Sequence, residues 1–146
     1  MGPIEHARTG DLLIVRLDRG DSVIDAILAA LHEHKARGAV VLTGLGAFED
    51  VEFAYYDPAR KAYDRKLLPT SHEVLSLSGI IAHSKEGQYQ PHFHITLAGP
   101  DHLAVGGHLF KATVSVLAEF ALRLVDLPAM RREKEPDSAL MGLRLS

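Results

Sequence analysis

Three histidines stand close together in the chain, in the segments Pro91-His92-Phe93-His94 and Gly106-Gly107-His108. Residues two apart in a β-strand point to the same face, so a strand here would aim His92 and His94 into one space. If the chain doubles back, His108 can join them from the neighbouring strand. Three imidazoles that converge on one point make a suitable site for a zinc-like ion with one open coordination position.

The segment between His92 and His108 predicts a β-hairpin with one particular register. Ala98-Gly99-Pro100-Asp101 supplies the turn. With Asp101 at the centre of the loop, His94 faces His108, and their Cβ atoms would lie about 4.5–5.5 Å apart. The apolar residues then share the opposite face: Leu97 with Val105, Ile95 with Gly107 and Phe93 with Leu109. A slip of one residue would place His108 among these apolar side chains, which burial opposes.

Other interpretations of the histidines remain open at this point. A His-x-His pair on a strand often arises by chance, and three histidines can also form a structural metal site or a buried polar cluster without an ion. Glu73 opens an apolar strand and is the candidate catalytic residue, either orienting a ligand histidine or accepting a proton from water. It can equally be a solvated carboxylate at a strand end.

Composition limits the classes of protein that the chain can belong to. Its 146 residues fit one domain, and a hydrophobic share of 47% is enough for a core. The chain has no cysteine, so a transition-metal site must use His with Asp, Glu or water. A net charge of −3 argues against a broad nucleic-acid surface. No apolar run is long enough to span a bilayer and no signal-peptide pattern is present, so we expect a soluble cytoplasmic protein.

The periodicity of apolar residues predicts one helix among several strands. Residues 11–17 alternate as a strand, and a helix begins at the cap residue Ser22, continues past Leu31 and ends at Gly38. Further strands are predicted at 39–43, 51–56, 62–68, 73–77, 113–125 and 139–145. Gly44-Leu45-Gly46 is interpreted as a tight turn rather than a nucleotide loop. Residues 131–137 are interpreted as a solvated charged loop.

The ordered motifs of the chain resemble those of the plant and prokaryote conserved (PPC) domain family. The resemblance covers roughly residues 8 to 127. It rests on Gly44-Leu45-Gly46-Ala47, Tyr55-Tyr56-Asp57, the segment from Glu73 to Gly79, His92-Phe93-His94 and Gly106-Gly107-His108. One departure is Ile80, where the family often has Asn. The resemblance implies a single compact α+β domain over residues 1–146, mainly antiparallel β-sheet with one prominent helix packed on it, which assembles as a homotrimer.

The resemblance leaves two hypotheses about function. The first follows the stand-alone prokaryotic members and is a metal-binding domain of unassigned activity, with His92, His94 and His108 as zinc ligands and an unknown small-molecule ligand. A metal-dependent enzyme is one form of this hypothesis. The second follows the plant members: a non-catalytic trimeric module that serves DNA-binding or transcription partners. The chain lacks the Arg-Gly-Arg-Pro hook of those proteins and has Ser71-His72 in place of their Arg-Phe contact pair. Direct nucleic-acid binding is therefore not expected.

Overall fold

A computed structural model describes residues 3–146 and shows, within them, one helix among nine strands. In chain order they are β1 (Glu5–Thr9), β2 (Leu12–Asp18), α1 (Val23–Glu33), β3 (Gly38–Asp57), β4 (Ala62–Leu68), β5 (His72–His83), β6 (Tyr89–Ala98), β7 (Ala104–Val125), β8 (Arg131–Lys134) and β9 (Met141–Arg144). The predicted α+β class is confirmed. The sheet is mixed, because β5 and β8 pair in parallel. Within the described residues, no helix has the length and apolar character needed to cross a membrane.

The helix α1 begins where the sequence predicts and ends earlier. The Ser22 hydroxyl at its start donates to the Asp25 carboxylate over 2.8 Å. At its end Lys35 adopts the left-handed conformation, with φ 53°. The Ala36 N–H then donates to the carbonyl of Leu31 over 2.9 Å, which closes a Schellman motif. The predicted end at Gly38 is therefore wrong, and Gly38 begins β3 instead.

Strand β3 runs without a break through the predicted turn at Gly44-Leu45-Gly46, so that prediction is wrong. Irregularities in the pairing with β7 at residues 41–43 and 46–48 bend the strand rather than end it. Gly46 has φ 140°, and a Cβ atom there would lie 2.2 Å from the Leu117 carbonyl oxygen. The glycine is required by a close approach of two strands and not by a chain reversal.

Four strands form a closed ring of pairings that carries the candidate site. Strand β3 pairs with β5 and β7, and β6 pairs with the same two strands. Strands β1 and β2 extend the sheet beyond β7, and α1 packs on β2 and β7. The fully buried side chains between helix and sheet include Leu13, Val15, Leu17, Val23, Ile27, Leu31, Phe120 and Leu122. Burial contributes about 1.5–3 kcal/mol to the stability of the fold for each large side chain in this core.

The C-terminal segment forms a hairpin instead of the predicted solvated loop at 131–137. Strand β8 pairs with β9 and docks on β5 through His83 and Arg131. Arg132 points inward and is only 7% exposed, because its guanidinium group finds backbone carbonyls from three other segments. The predicted last strand is present as the shorter β9.

Candidate metal centre

The predicted register of the histidine hairpin is confirmed for the five pairs from His94 to Ala98, on β6 and β7. His94 pairs with His108, Thr96 with Gly106 and Ala98 with Ala104. On the opposite face, Phe93, Ile95 and Leu97 are buried in the core. The hydrophobic alternation therefore holds the register, and a slip by one residue would exchange the buried and exposed sets.

The three histidines converge as the sequence predicts. Each offers one ring nitrogen, and these nitrogens all lie within 4.8 Å of one another. The Nε2 atoms of His92 and His94 are 3.2 Å apart. The ring centroid of His108 lies 5.0 Å from that of His92 and 5.8 Å from that of His94.

Glycines beside His108 allow the neighbouring strands to come close. A Cβ atom on Gly106 would lie 2.0 Å from the Ile95 carbonyl oxygen, and one on Gly107 would lie 2.5 Å from that of Ala54. Both contacts are shorter than a real Cβ atom tolerates, so side chains are excluded here. The Gly106-Gly107 pair thus lets β6 and β3 hold β7 at the position of His108.

Burial keeps two of the three imidazoles uncharged. Burial is the main cause that lowers the pKa of His108 to about 4, and the nearby His92 and His94 contribute further. Burial also lowers the pKa of His92, assisted by the positive charge of Arg132. A neutral imidazole has a free lone pair at neutral pH, as a metal ligand requires.

The spacing of two of the three candidate ligands fits a tetrahedral metal ion. Two nitrogens bound at 2.0–2.1 Å with a tetrahedral angle between them are about 3.3 Å apart, close to the 3.2 Å that separates the Nε2 atoms of His92 and His94. The Nδ1 atom of His108 is buried and makes no hydrogen bond within residues 3–146. An imidazole with a buried, unpartnered nitrogen is costly unless some other group interacts with the ring.

Two cavities meet at His92. One, of about 390 Å³, is lined by His94 and by residues of β3 and β5. The other, of about 500 Å³, is lined by His108, Tyr63 and the β8–β9 hairpin. Arg132 lines both of them together with His92. Sequence reasoning missed Arg132, because residues 131–134 are all charged and show no apolar–polar alternation that would predict a strand.

Glu73 does not lie with the three histidines. It pairs with Ala98 across β5 and β6, whereas His94 pairs with Ser78. Four residues of strand separate His94 from Ala98, which amounts to about 13 Å. Glu73 is exposed and lines a separate cavity with Ser71. The pairing of β5 with β6 therefore keeps Glu73 away from the histidines of the same chain and does not support its predicted acid–base role.

Comparison with models of protein families identifies the family of the chain. A model of the Plants and Prokaryotes Conserved (PCC) domain matches residues 4–125. This match spans most of the chain, which therefore belongs to that family, and the resemblance noted from the motifs is confirmed. No curated protein matches the chain in sequence.

Solved structures with the same fold cover nearly the whole chain. A candidate DNA-binding protein from Bacteroides thetaiotaomicron is 26% identical, with a TM-score of 0.89 and 97% of each chain covered. A protein from Archaeoglobus fulgidus described as metal-containing is 30% identical, with a TM-score of 0.81, and the match covers 98% of this chain and 99% of that one. A plant- and prokaryote-conserved protein from Pyrococcus horikoshii is 21% identical, with a TM-score of 0.81 and coverage of 100% and 98%.

Proposed function

We propose that this chain, as a member of the Plants and Prokaryotes Conserved domain family, binds one zinc ion through His92, His94 and His108. The observation that carries the proposal is the convergence of three ring nitrogens within 4.8 Å. Three protein ligands leave one coordination position open, as in catalytic rather than purely structural zinc sites. We place that position towards the cavities that meet at His92.

The set of donor atoms suits zinc and similar transition metals better than hard ions. Neutral imidazoles suit zinc, copper, iron and nickel, and hard oxygen-loving ions such as magnesium fit them poorly. The chain has no cysteine that would add a thiolate. The metal-containing relative from Archaeoglobus fulgidus, at 30% identity, supports metal binding in this chain as well.

The site is suited to binding and activating a small molecule. A zinc ion held by three histidines acts as a Lewis acid on an oxygen atom of its ligand. The protein contributes two neutral imidazoles at neutral pH, through the lowered pKa values of His92 and His108. A cavity of about 500 Å³ beside them is in the size range of small-molecule sites.

A melting experiment tests metal binding directly. Protein treated with chelator and then dialysed should melt at a higher temperature after one equivalent of Zn²⁺ is added, because a ligand that prefers the folded state stabilises it. Magnesium at the same concentration should leave the melting temperature unchanged. Equal melting temperatures with and without Zn²⁺ would argue for a polar cluster without an ion.

We further propose that the chain assembles as a homotrimer through the uncovered face of its sheet. Ile14, Ala121 and Thr43 form one row across β2, β7 and β3, and Arg16, Glu119 and Leu45 form the next. Ile14 and Leu45 are 45% and 44% exposed, and an open groove of about 550 Å³ runs between the rows. Exposed apolar side chains on one sheet face, with charged residues beside them, are typical of interfaces between chains.

The alternative function is a non-catalytic trimer that serves DNA-binding or transcription partners. The candidate DNA-binding protein from Bacteroides thetaiotaomicron supports it at 26% identity. The net charge of −3 argues against direct contact with the phosphate backbone. A gel-shift series over salt concentration distinguishes the two functions, since tight binding with a steep salt dependence would favour the alternative.

A further inference from the structure

We propose that the site takes a small organic acid, whose carboxylate is bound by Arg132 while a neighbouring oxygen atom faces the three histidines. This inference rests on the proposed metal site and adds the class of ligand. It begins from one side chain, Arg132, whose burial the metal ligands do not explain.

Arg132 is a buried cation that is held in place by backbone carbonyls. Its side chain enters from β8 and is 7% exposed. Nε donates to the carbonyl of Gln90 over 3.3 Å, one terminal nitrogen to Met141 over 3.2 Å and the other to Ile80 over 3.3 Å. These three bonds fix the position of the guanidinium group against β5, β6 and β9.

The guanidinium group retains both charge and donors for a ligand. Arginine has five N–H donors, so three bonds to carbonyls leave one N–H on each terminal nitrogen. Within residues 3–146, Arg132 forms no ion pair. Its acidic neighbours on the hairpin are engaged elsewhere, Glu133 with Arg131 and Glu135 with Arg144. A buried cation without a counter-ion is costly, and an anionic ligand would offset that cost.

Arg132 and the metal ligands face the same space. Arg132 and His92 line both cavities together. A divalent ion held by the three histidines would add its charge to that of Arg132. An anion that reaches both groups would interact with the metal ion and with the buried guanidinium group.

The number of free donors favours a carboxylate over a phosphate. Two N–H groups on a planar fork match the two oxygens of a carboxylate. A phosphate group presents more oxygens and more charge than one guanidinium group with two free donors can satisfy. Cavities of about 390 and 500 Å³ set the scale of the ligand at that of a small molecule.

The test uses the full chain loaded with Co²⁺, whose visible spectrum reports on ligands of the metal. Co²⁺ is first titrated into chelator-treated protein to establish one ion per chain. Glycolate, a small 2-hydroxy acid, is then titrated in, with glycolamide as the uncharged ligand of equal size and inorganic phosphate as the competing anion. The variants are Arg132→Lys, which keeps the charge without the fork, and Arg132→Met, which removes both.

Arg65→Met is the matched control. Arg65 also lies near the cluster, because its guanidinium carbon is 3.8 Å from the ring centroid of Phe110, which is 4.7 Å from that of His108. In contrast to Arg132, its side chain is 54% exposed, pairs with Glu52 and lies over the ring of Phe110. If glycolate responds only to positive charge near the site, Arg65→Met should also weaken glycolate binding. If glycolate binds to Arg132 itself, Arg65→Met should leave glycolate binding unchanged.

Glycolate is expected to change the Co²⁺ spectrum in a saturable way, and glycolamide is not. Arg132→Lys should weaken glycolate binding by about 10-fold or more, as for loss of a charge-assisted bond, and Arg132→Met by more. Arg65→Met should leave it unchanged. Equal glycolate affinity in wild type and Arg132→Lys would overturn the inference, and so would tighter binding of phosphate than of glycolate.

The two proposals fail in different ways. Stoichiometric Co²⁺ without any response to glycolate would overturn the organic-acid inference and leave the metal site standing. No binding of Co²⁺ at all would overturn the proposed function and this inference with it. If Arg132→Met does not fold, as circular dichroism would show, the comparison of wild type with Arg132→Lys decides the matter.

Discussion

His94 and His108 are directly opposed across the ladder between β6 and β7. His94 also pairs with Ser78 of β5, and His108 with Ala54 of β3. Each histidine therefore sits on a strand that is held from both sides by backbone hydrogen bonds. The backbone positions of two candidate ligands are thus determined by the closed ring of strands and not by a loop, as a preorganised site requires.

Removal of one ligand should abolish tight metal binding. We expect His94→Ala to weaken Zn²⁺ affinity by more than about 100-fold. Mutation of a residue that only hydrogen-bonds to a metal ligand already lowers metal affinity by about 10–100-fold, and loss of the ligand itself should cost more. His32→Ala is the control, since His32 is exposed on α1 and outside the cluster. Competition with a chromophoric chelator measures both affinities. Unchanged affinity in His94→Ala would remove His94 from the ligand set.

Protonation of His108 should weaken metal binding only at acidic pH. Ligand imidazoles must be neutral, and the pKa of His108 is lowered to about 4. Protonation of His108 therefore limits metal binding only as the pH approaches 4. Competition titrations at a series of pH values should show the contribution of His108 to the pH dependence in that range.

The same lowered pKa has a consequence for the metal-free protein. The unfolded chain binds a proton at His108 near the ordinary pKa of 6.5, before the folded chain does at about 4. Above pH 6.5, His108 is neutral in both states and does not lower the free energy of unfolding. As the pH drops from 6.5 towards 4, the unfolded chain takes up the proton first, so the free energy of unfolding falls. Urea melts in chelator should show that loss, and His108→Gln should reduce it. Identical pH dependence in the two proteins would contradict the lowered pKa.

The close approach at Gly106 should make that position sensitive to substitution. Gly106→Ala would place a Cβ atom 2.0 Å from the Ile95 carbonyl oxygen. We expect it to destabilise the protein by about 1–3 kcal/mol, as overpacking does, and to weaken metal binding as β7 shifts. Gly99→Ala is the control, because its Cβ would meet the ring of His72 rather than backbone. Equal urea midpoints for both variants would contradict the account of the strand packing.

The proposed trimer should depend on the uncovered sheet face. We expect Leu45→Lys to convert trimers to monomers, because it replaces an apolar contact with a charge that assembly would have to remove from water. Leu103→Lys is the matched control, since Leu103 is 68% exposed and lies in the loop between β6 and β7. Light scattering measures the mass of each. A monomeric wild type, or a trimeric Leu45→Lys, would contradict this interface.

Local pattern was sufficient to predict the histidine hairpin. The alternation from Phe93 to Leu97, a turn at Gly99-Pro100 and burial of one face together determine the register that the structure shows. The chemistry of the site follows, because His94 and His108 then share the other face.

Distant contacts explain what sequence reasoning missed. Gly44 and Gly46 look like a turn locally, yet Phe120 and Leu117 of β7 require glycine there. Arg132 lies in a charged run, and its burial depends on carbonyls at Gln90 and Ile80, 42 and 52 residues away. Nothing in the local pattern specifies such partners.

The role predicted for Glu73 can be tested separately. Its place on β5, opposite Ala98, leads us to expect that Glu73→Gln leaves Zn²⁺ affinity unchanged. Isothermal titration of the variant beside wild type checks this. A clear loss of affinity would show that Glu73 reaches the histidines by a route that one chain does not provide.

Zinc binding by the three histidines is tested most directly by anomalous diffraction at the zinc edge, from crystals of protein purified without exposure to a chelator. The account predicts one peak per chain, about 2.0–2.1 Å from a ring nitrogen of each of His92, His94 and His108. A peak bound by other residues, or no peak among the three rings in protein supplied with zinc, would contradict it.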